Sequence, residues 1–302
     1  MSRTTRRTFL QTTTGLAAAT YLARGDRAIA APGSSPKKSV LVSMLPKDLS
    51  MMDRFKLAKE IGFEGTEVHT VTDQKQAEEM KAASEASGLV IHSIMNSDHW
   101  EFPISSDDPA VVNKSVAGME TSLKNAAFFK ANNVLLVPAV VNPRTSYADA
   151  WKRSQKVIKE RLLPMAADLK VVIAVEEVCN KFLLSPLEFA RYVDEFQSPW
   201  VKAYFDVGNV VFYGYPQDWI RTLGNRIVRV HLKDFSVSRG DEGKFYWKNL
   251  GEGDIDWVEV RKAFNEINYS GYMTTEIDGG DKAYLTDVSK RFDRFLAGQK
   301  PV

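Results

Sequence analysis

Eight short apolar runs alternate with amphipathic stretches over residues 39–297 of this 302-residue chain. The runs are nearly continuous in apolar residues, which is typical of parallel strands buried on both faces. The stretches between them repeat apolar residues at helical spacing. Because eight strand–helix units close a barrel, we predict an α/β fold, a (β/α)8 TIM barrel. The predicted strands are residues 39–45, 65–70, 89–95, 133–141, 171–178, 201–207, 227–235 and 271–277.

An open, doubly wound parallel sheet is the alternative for such an alternating pattern. That fold normally carries a glycine-rich phosphate-binding turn after its first strand. Residues 43–50, SMLPKDLS, contain no glycine, which favours the barrel. The hydrophobic content of 44% is enough for one large core, so we expect a single catalytic domain over residues 39–298.

The N-terminus has the pattern of a targeting segment. Arg6 and Arg7 precede a short apolar stretch, and Ala28 and Ala30 form an A-x-A cleavage pattern. The segment RRTFLQ resembles a twin-arginine signal peptide, with a disordered basic tail as the alternative. We therefore expect the twin-arginine machinery to export the protein to the periplasm or another extracytoplasmic compartment. Residues 1–30 are the predicted signal, and the Pro/Ser/Gly-rich residues 31–38 are the predicted linker.

The charge balance changes once the predicted signal is set aside. The chain has 40 basic and 38 acidic residues, and residues 1–30 hold five of the former and one of the latter, which leaves −2. A slightly negative body offers no electrostatic footprint for nucleic acid. Beyond the signal, no apolar run approaches the ~20 residues that cross a bilayer, so we expect no membrane association of the mature form. The single cysteine, Cys179, has no partner for an internal disulfide.

Charged or imidazole side chains stand at the ends of four successive predicted strands. The fifth strand ends in Glu176 and Glu177, the sixth in Asp206, the seventh in His231 and the eighth in Glu276. In a TIM barrel these ends meet at the face that carries the active site. Three carboxylates gathered there around one imidazole would repel one another without a cation. This donor set suits one divalent ion, Mn²⁺, Mg²⁺, Co²⁺ or Zn²⁺.

Each of these residues has a structural alternative when it is taken alone. Asp206 could cap the turn at Gly208, and His231 could be a hydrogen-bonded core histidine. Glu276 could pair with Lys233. Capping and pairing explain one strand end at a time, whereas a metal site explains all four together.

Five motifs, EEVCNKF, FDVGN, VHLKD, LGEGDIDW and TTEI, resemble those of the sugar phosphate isomerase/epimerase superfamily with a xylose-isomerase-like barrel. The resemblance covers residues 39–297 and implies that a Glu, Asp, His, Glu quartet holds one divalent metal. It assigns Asp206, His231 and Glu276 to that quartet. The first Glu is either Glu176 or Glu177, since only one of two adjacent strand residues can face the barrel axis. We favour Glu176 as the ligand and keep Glu177 as the alternative.

The resemblance also implies the chemistry. Members move a proton between adjacent sugar carbons through an enediolate whose charge the metal stabilises. For this chain it implies an isomerase or epimerase in carbohydrate metabolism, with Glu176 and Glu276 as the catalytic pair. The residues expected to bind the substrate are His69, His92, Asn209 and Lys233.

Three residues in these motifs bear on the substrate class. Asn209 stands where the 3-epimerase pattern has a histidine. An amide cannot shuttle protons, which argues against ketohexose 3-epimerase activity. Asp254 and Asp256 at a predicted helix start would repel a phosphate, which favours a free ketose, aldose or keto-glycoside. A metal-dependent lyase or hydrolase acting on keto-glycosides and a non-catalytic sugar-binding barrel are the alternatives. Barrels of this kind also commonly form homo-oligomers.

Overall fold

The computed structural model describes residues 35–237 and 246–302. Eight parallel strands close into a barrel, each paired with its neighbours, and the last pairs with the first. The prediction of a TIM barrel is confirmed. The barrel strands are β1 (Lys37–Leu41), β2 (Gly65–His69), β3 (Val90–Met95), β4 (Asn133–Leu136), β5 (Val172–Glu176), β6 (Val201–Asp206), β7 (Ile227–Leu232) and β10 (Tyr272–Thr275). Two further strands, β8 (Asp234–Ser236) and β9 (Tyr246–Lys248), form an antiparallel pair outside the barrel.

Helices lie between the strands and shield the outer face of the barrel. Most begin at a Ser or Asp whose side chain accepts a hydrogen bond from a first-turn amide, as Ser50 and Asp73 do. A π-helical turn, Ile158–Leu162, joins α4 to α5. Within the described ranges, no helix is both long and apolar enough to cross a membrane. The helices are α1 (Met51–Glu60), α2 (Gln74–Ser87), α3 (Pro109–Phe129), α4 (Tyr147–Val157), α5 (Leu163–Leu169), α6 (Pro186–Asp194), α7 (Pro216–Leu223), α8 (Trp257–Glu266) and α9 (Lys282–Leu296).

Some predicted boundaries differ from the structure. β1 begins at Lys37, so the last two residues of the predicted linker belong to the barrel. β4 ends at Leu136, because the chain leaves the barrel there to run towards α4. The predicted strand 227–235 is divided at Lys233 into β7 and β8. The predicted signal peptide and the first residues of the linker lie outside the described residues.

Two register irregularities shape the inside of the barrel. Thr66 pairs with Ile91, but the next residue, Glu67, pairs with Ser93, so His92 is an extra residue on β3. A second shift makes Val228 an extra residue on β7 and sets Asp206 opposite His231. Such bulges redirect side chains and are frequent near active sites. As a result, the consecutive residues His92 and Ser93 both make hydrogen bonds inside the barrel.

Asp234 connects the β8–β9 pair to the segment before α8. Its fully buried carboxylate accepts hydrogen bonds from the amide of Gly251 at 2.9 Å and from the indole of Trp257 at 2.7 Å. A Cβ atom at Gly253 would lie 2.2 Å from Asp234 Oδ1, so the glycine is required for this approach. One carboxylate therefore holds the loop after β9 against the barrel end.

We expect Asp234→Ala to lower the free energy of unfolding by roughly 2–4 kcal/mol, because it leaves buried donors without an acceptor. The control is Asp287→Ala, which removes an exposed i,i+4 pair with Arg291 and should cost less than about 1 kcal/mol. Urea denaturation measures both values. Equal losses in the two variants would contradict this role of Asp234.

Candidate metal and substrate site

Four side chains converge at the carboxyl-terminal end of the barrel. Glu176 ends β5, Asp206 ends β6, His231 lies one residue before the end of β7, and Glu276 directly follows β10. One ligand atom from each of the four lies within 4.8 Å of the others. Since these strands are parallel neighbours, their ends project the side chains from one rim. We call these four residues the quartet.

The imidazole of His231 is central to the quartet. Its Nδ1 lies 2.8 Å from Glu176 Oε1, 3.3 Å from Glu276 Oε2 and 3.8 Å from Asp206 Oδ2. The side chain is fully buried. One ring nitrogen therefore faces three carboxylates, an arrangement that a cation between them would stabilise.

Asp206 combines a local role with its place in the quartet. Its Oδ1 accepts hydrogen bonds from the amides of Gly208 at 2.7 Å and Asn209 at 2.9 Å, which is the turn cap considered above. Its Oδ2 points to His231 and Lys233. Capping uses one oxygen and leaves the other for the quartet, so the two roles do not compete.

Glu176 and Glu177 have different environments, as their adjacent positions require. Glu176 lies in the quartet, whereas Glu177 accepts a hydrogen bond from the backbone amide of Asp206 at 2.9 Å through Oε1. The other oxygen of Glu177 is buried and has no partner within the described parts of the chain. Glu177 therefore supports the backbone of β6 from behind the quartet, and only Glu176 has an oxygen among the four grouped ligand atoms.

Lys233 neutralises part of the quartet. Its Nζ lies 2.6 Å from Glu276 Oε2 and 2.9 Å from Asp206 Oδ2, so it pairs with these two residues rather than with Asp234. The pKa of Lys233 is raised: burial lowers it, but the surrounding carboxylates outweigh that effect. The ammonium group also lies 4.6 Å from the ring centroid of Trp247. Lys233 is thus a fixed positive charge at the wall of the site.

The carboxyl groups of the quartet differ in proton affinity. Burial raises the pKa of Glu176 to about 7, although His231 opposes the shift, and burial also raises the pKa of Asp206. Burial acts on Glu276 in the same direction, but His231 and Lys233 bring its pKa down to about 2. Burial lowers the pKa of His231, and the adjacent carboxylates reverse this and raise it. Protons or a bound cation would therefore stabilise the site by offsetting the negative charge of its carboxylates.

The donor set fits a divalent cation. It offers three carboxylate oxygens and one imidazole nitrogen, and hard or borderline divalent ions prefer such donors. The four residues are held by four different strands, so the backbone of the barrel fixes their spacing. The quartet is therefore a possible carboxylate–histidine metal site.

A cleft opens directly over the quartet. Asn209 and Lys233, which the sequence predicts as substrate-binding residues, lie in its wall, and Asn209 is held there by a 2.9 Å hydrogen bond to the Glu177 carbonyl. The cleft combines polar groups with apolar and aromatic side chains, as small-molecule sites commonly do. Its lining comprises Met95, His99, Trp100, Glu176, Val178, Cys179, Asn209, Lys233, Trp247 and Glu276.

The other two predicted substrate-binding histidines lie elsewhere. His69 ends β2 and is partly exposed near His99, but it is not among the residues that line the cleft. His92 is not at the end of β3 as predicted. It lies three residues earlier, where its ring accepts a hydrogen bond from Arg229 at 3.1 Å and stacks on Tyr272. The extra residue in β3 turns His92 into the barrel interior, so it belongs to the internal network rather than to the cleft.

Several site residues are not predicted from the sequence. His99 and Trp100 reach the cleft from the loop after β3, and no motif distinguishes them in the sequence. Glu67 is fully buried in the middle of β2 and lies 2.6 Å from His231. A glutamate inside an apolar strand is the signal that could have indicated it, since buried carboxylates need partners.

Comparison with known proteins places this geometry among sugar-acting barrels. A putative L-ribulose-5-phosphate 3-epimerase, SgbU, of Escherichia coli K12 is 30% identical over 77% of this chain and 85% of its own length. The solved structure of 3-keto-D-glucoside 4-epimerase YcjR from E. coli has a TM-score of 0.70 at 19% identity, covering 84% of this chain and 97% of that one. D-allulose 3-epimerase from Methylomonas sp., solved with D-allulose, has a TM-score of 0.66 at 19% identity and covers 82% and 86%.

The family assignment rests on most of the domain. Residues 55–292, from within α1 to within α9, match the xylose isomerase-like TIM barrel family. The matched region contains all four members of the quartet and the residues of the cleft. The chain therefore belongs to the xylose isomerase-like TIM barrel family.

Proposed function

We propose that the protein is a divalent-metal-dependent sugar epimerase or isomerase. The observation that carries this proposal is the convergence of three carboxylates and one imidazole, within 4.8 Å, beneath a cleft. The names of the relatives, ribulose-phosphate, keto-glucoside and allulose epimerases, support the same reaction class. The quartet supplies the metal ligands Glu176, Asp206, His231 and Glu276.

Two residues of the quartet also perform the proton transfer. A bound divalent ion would supply Lewis-acid stabilisation of the negative charge that develops on the sugar oxygens. Glu276, whose carboxyl group is ionised at neutral pH, takes the proton from carbon. Glu176, from its own position at the end of β5, returns a proton to carbon.

The surroundings of the quartet favour a substrate without a phosphate group. Among the described lining residues, the cation is Lys233, and Asp206 and Glu276 already pair with it. The N-terminus of α8, a potential phosphate site in a barrel, is capped by the carboxylate of Asp256. Trp100 and Trp247 add apolar surface to the cleft. The substrate is therefore a free ketose, an aldose or a keto-glycoside.

We also propose that residues 1–30 direct export through the twin-arginine pathway, so that a folded, metal-loaded enzyme acts outside the cytoplasm. The paired Arg6 and Arg7 and the A-x-A pattern support this location.

Proton transfer predicts exchange of substrate hydrogen with solvent. With Mn²⁺ present, wild-type protein in D₂O should incorporate deuterium into a ketose or keto-glycoside from a panel that also contains the ketose phosphates. Glu276→Gln and Glu176→Gln should slow the exchange by about 10²–10⁴-fold, as expected for loss of a general base or acid. Mass spectrometry and NMR measure the incorporation. Cleavage without exchange would instead indicate a lyase or hydrolase, and binding without either reaction would indicate a sugar-binding barrel.

Proton competition predicts how metal affinity depends on pH. Because Glu176 has a pKa of about 7, its protonated form dominates below that pH and cannot serve as a ligand. The Kd for Mn²⁺ should therefore be about tenfold higher at pH 6 than at pH 8. Isothermal titration at pH 8 and pH 6 tests this. Glu177→Gln is the matched control and should retain the wild-type affinity for Mn²⁺. Glu176→Gln should lose most of that affinity. The reverse result would assign Glu177 as the ligand.

Replacement of Arg6 and Arg7 by lysine tests the export proposal. In a bacterial host with a twin-arginine pathway, fractionation should find the wild-type chain in the periplasm and the double variant in the cytoplasm. Equal distribution of both chains would show that the pair does not direct export.

A further inference from the structure

Glu67 is a buried carboxyl group that the proposed reaction does not use. It is the third residue of β2, and its side chain is fully buried inside the barrel. Its Oε2 lies 2.6 Å from Nε2 of His231, the ring nitrogen that does not face the quartet. A buried carboxylate is costly unless hydrogen bonds satisfy it, so its surroundings show what it does.

Three polar side chains surround Glu67. The Ser93 hydroxyl donates to Oε1, and the Tyr204 hydroxyl donates to Oε2 at 3.2 Å. A carboxylate has no proton of its own to donate, so both hydroxyl groups are the donors in these hydrogen bonds. Nε2 of His231 is the third polar neighbour, 2.6 Å from Oε2. The carboxylate of Glu67 therefore acts as an acceptor, which places a proton on Nε2 of His231.

The position of that proton determines what Nδ1 can do. A neutral imidazole carries one N–H, so a proton held on Nε2 leaves a lone pair on Nδ1. Nδ1 is the nitrogen that faces Glu176, Glu276 and Asp206. We propose that Glu67 is a positioning residue, which holds His231 as the Nε2–H tautomer and directs the Nδ1 lone pair at the divalent cation. This inference rests on the metal site proposed above.

The barrel is built to hold Glu67 in this place. The extra residue in β3 sets Ser93 opposite Glu67, where regular pairing would have set His92. Asn133 donates a 2.7 Å hydrogen bond to Ser93 Oγ, so the serine hydroxyl is free to donate to Glu67. A carboxylate that orients a metal-binding histidine commonly changes metal affinity by 10–100-fold when it is mutated.

Glu67→Gln tests this role, because the amide keeps the shape of the side chain and removes its charge. At one fixed pH, its Kd for Mn²⁺ should be about 10–100-fold weaker than that of the wild type. The matched control is Glu64→Gln, the same change at an exposed position near the start of β2, and it should leave the Kd unchanged. Thermal melts followed by circular dichroism test whether both variants fold. If Glu67→Gln does not fold, Glu67→Asp replaces it in the Kd measurement.

A second measurement reports the tautomer directly. The chain has only four histidines, so ¹⁵N-histidine labelling gives a simple spectrum, and His231→Gln assigns the relevant signals. In Zn²⁺-loaded and metal-free protein, Nε2 of His231 should carry a slowly exchanging, low-field proton. That proton should move to high field in Glu67→Gln and stay in place in Glu64→Gln. A proton on Nδ1 with a bare Nε2 in the wild type would overturn the proposal.

The outcomes separate this inference from the proposed function. Wild-type protein that binds no Mn²⁺ contradicts the metal site itself, and the proposed role of Glu67 fails with it even if the Nε2–H hydrogen bond is seen. Wild-type binding that Glu67→Gln retains at full affinity overturns the positioning role alone and leaves the metal site intact. Weaker binding together with the shifted Nε2–H signal supports both.

Discussion

The crowding of buried carboxyl groups around one imidazole is the interaction on which this site depends. Glu176, Asp206 and Glu276 approach Nδ1 of His231 from one side, and Glu67 binds its Nε2 from the other. Such groups repel one another in a medium of low dielectric constant unless protons or cations intervene. Burial is the main cause of the raised pKa values of Glu176 and Asp206, and the neighbouring carboxylates add to the shift. The fold tolerates this repulsion because each side chain of the quartet is fixed at the end of a separate strand.

The closed barrel explains why the sequence could reveal so much of the site. Parallel strands end on the same rim, so a charged residue directly after an apolar run is placed there by topology alone. Asp206, His231 and Glu276 could be located in this way. The alternation of strand residues indicates only that one of Glu176 and Glu177 faces the barrel axis, and in the structure the grouped oxygen belongs to Glu176. The eight strands themselves follow from continuous apolar runs, although the end of β4 and the break at Lys233 depend on tertiary contacts that local pattern does not contain.

The site residues whose positions could not be predicted from the sequence mostly lie where the backbone is irregular. His92 is predicted at a strand end but is the third residue of β3, and the extra residue there turns both His92 and Ser93 inward. His99 and Trp100 belong to a loop, where no periodicity relates sequence to direction. Glu67 carries a clear anomaly, a charge inside a buried strand, but its partner His231 is 164 residues away and only the closed barrel brings them together.

Charge balance connects the site to the kind of substrate that we propose for it. The carboxylates of Glu176, Asp206 and Glu276 carry three negative charges, and Lys233 supplies one positive charge. A divalent ion would bring the net charge of these four side chains to zero. The carboxylate of Glu67 is stabilised separately, by its hydrogen bonds with Ser93, Tyr204 and His231. A neutral site of this kind has no excess positive charge that could compensate the free-energy cost of desolvating a phosphate dianion. It suits a neutral sugar, whose charge appears only as the proton leaves carbon and can then be stabilised where it develops.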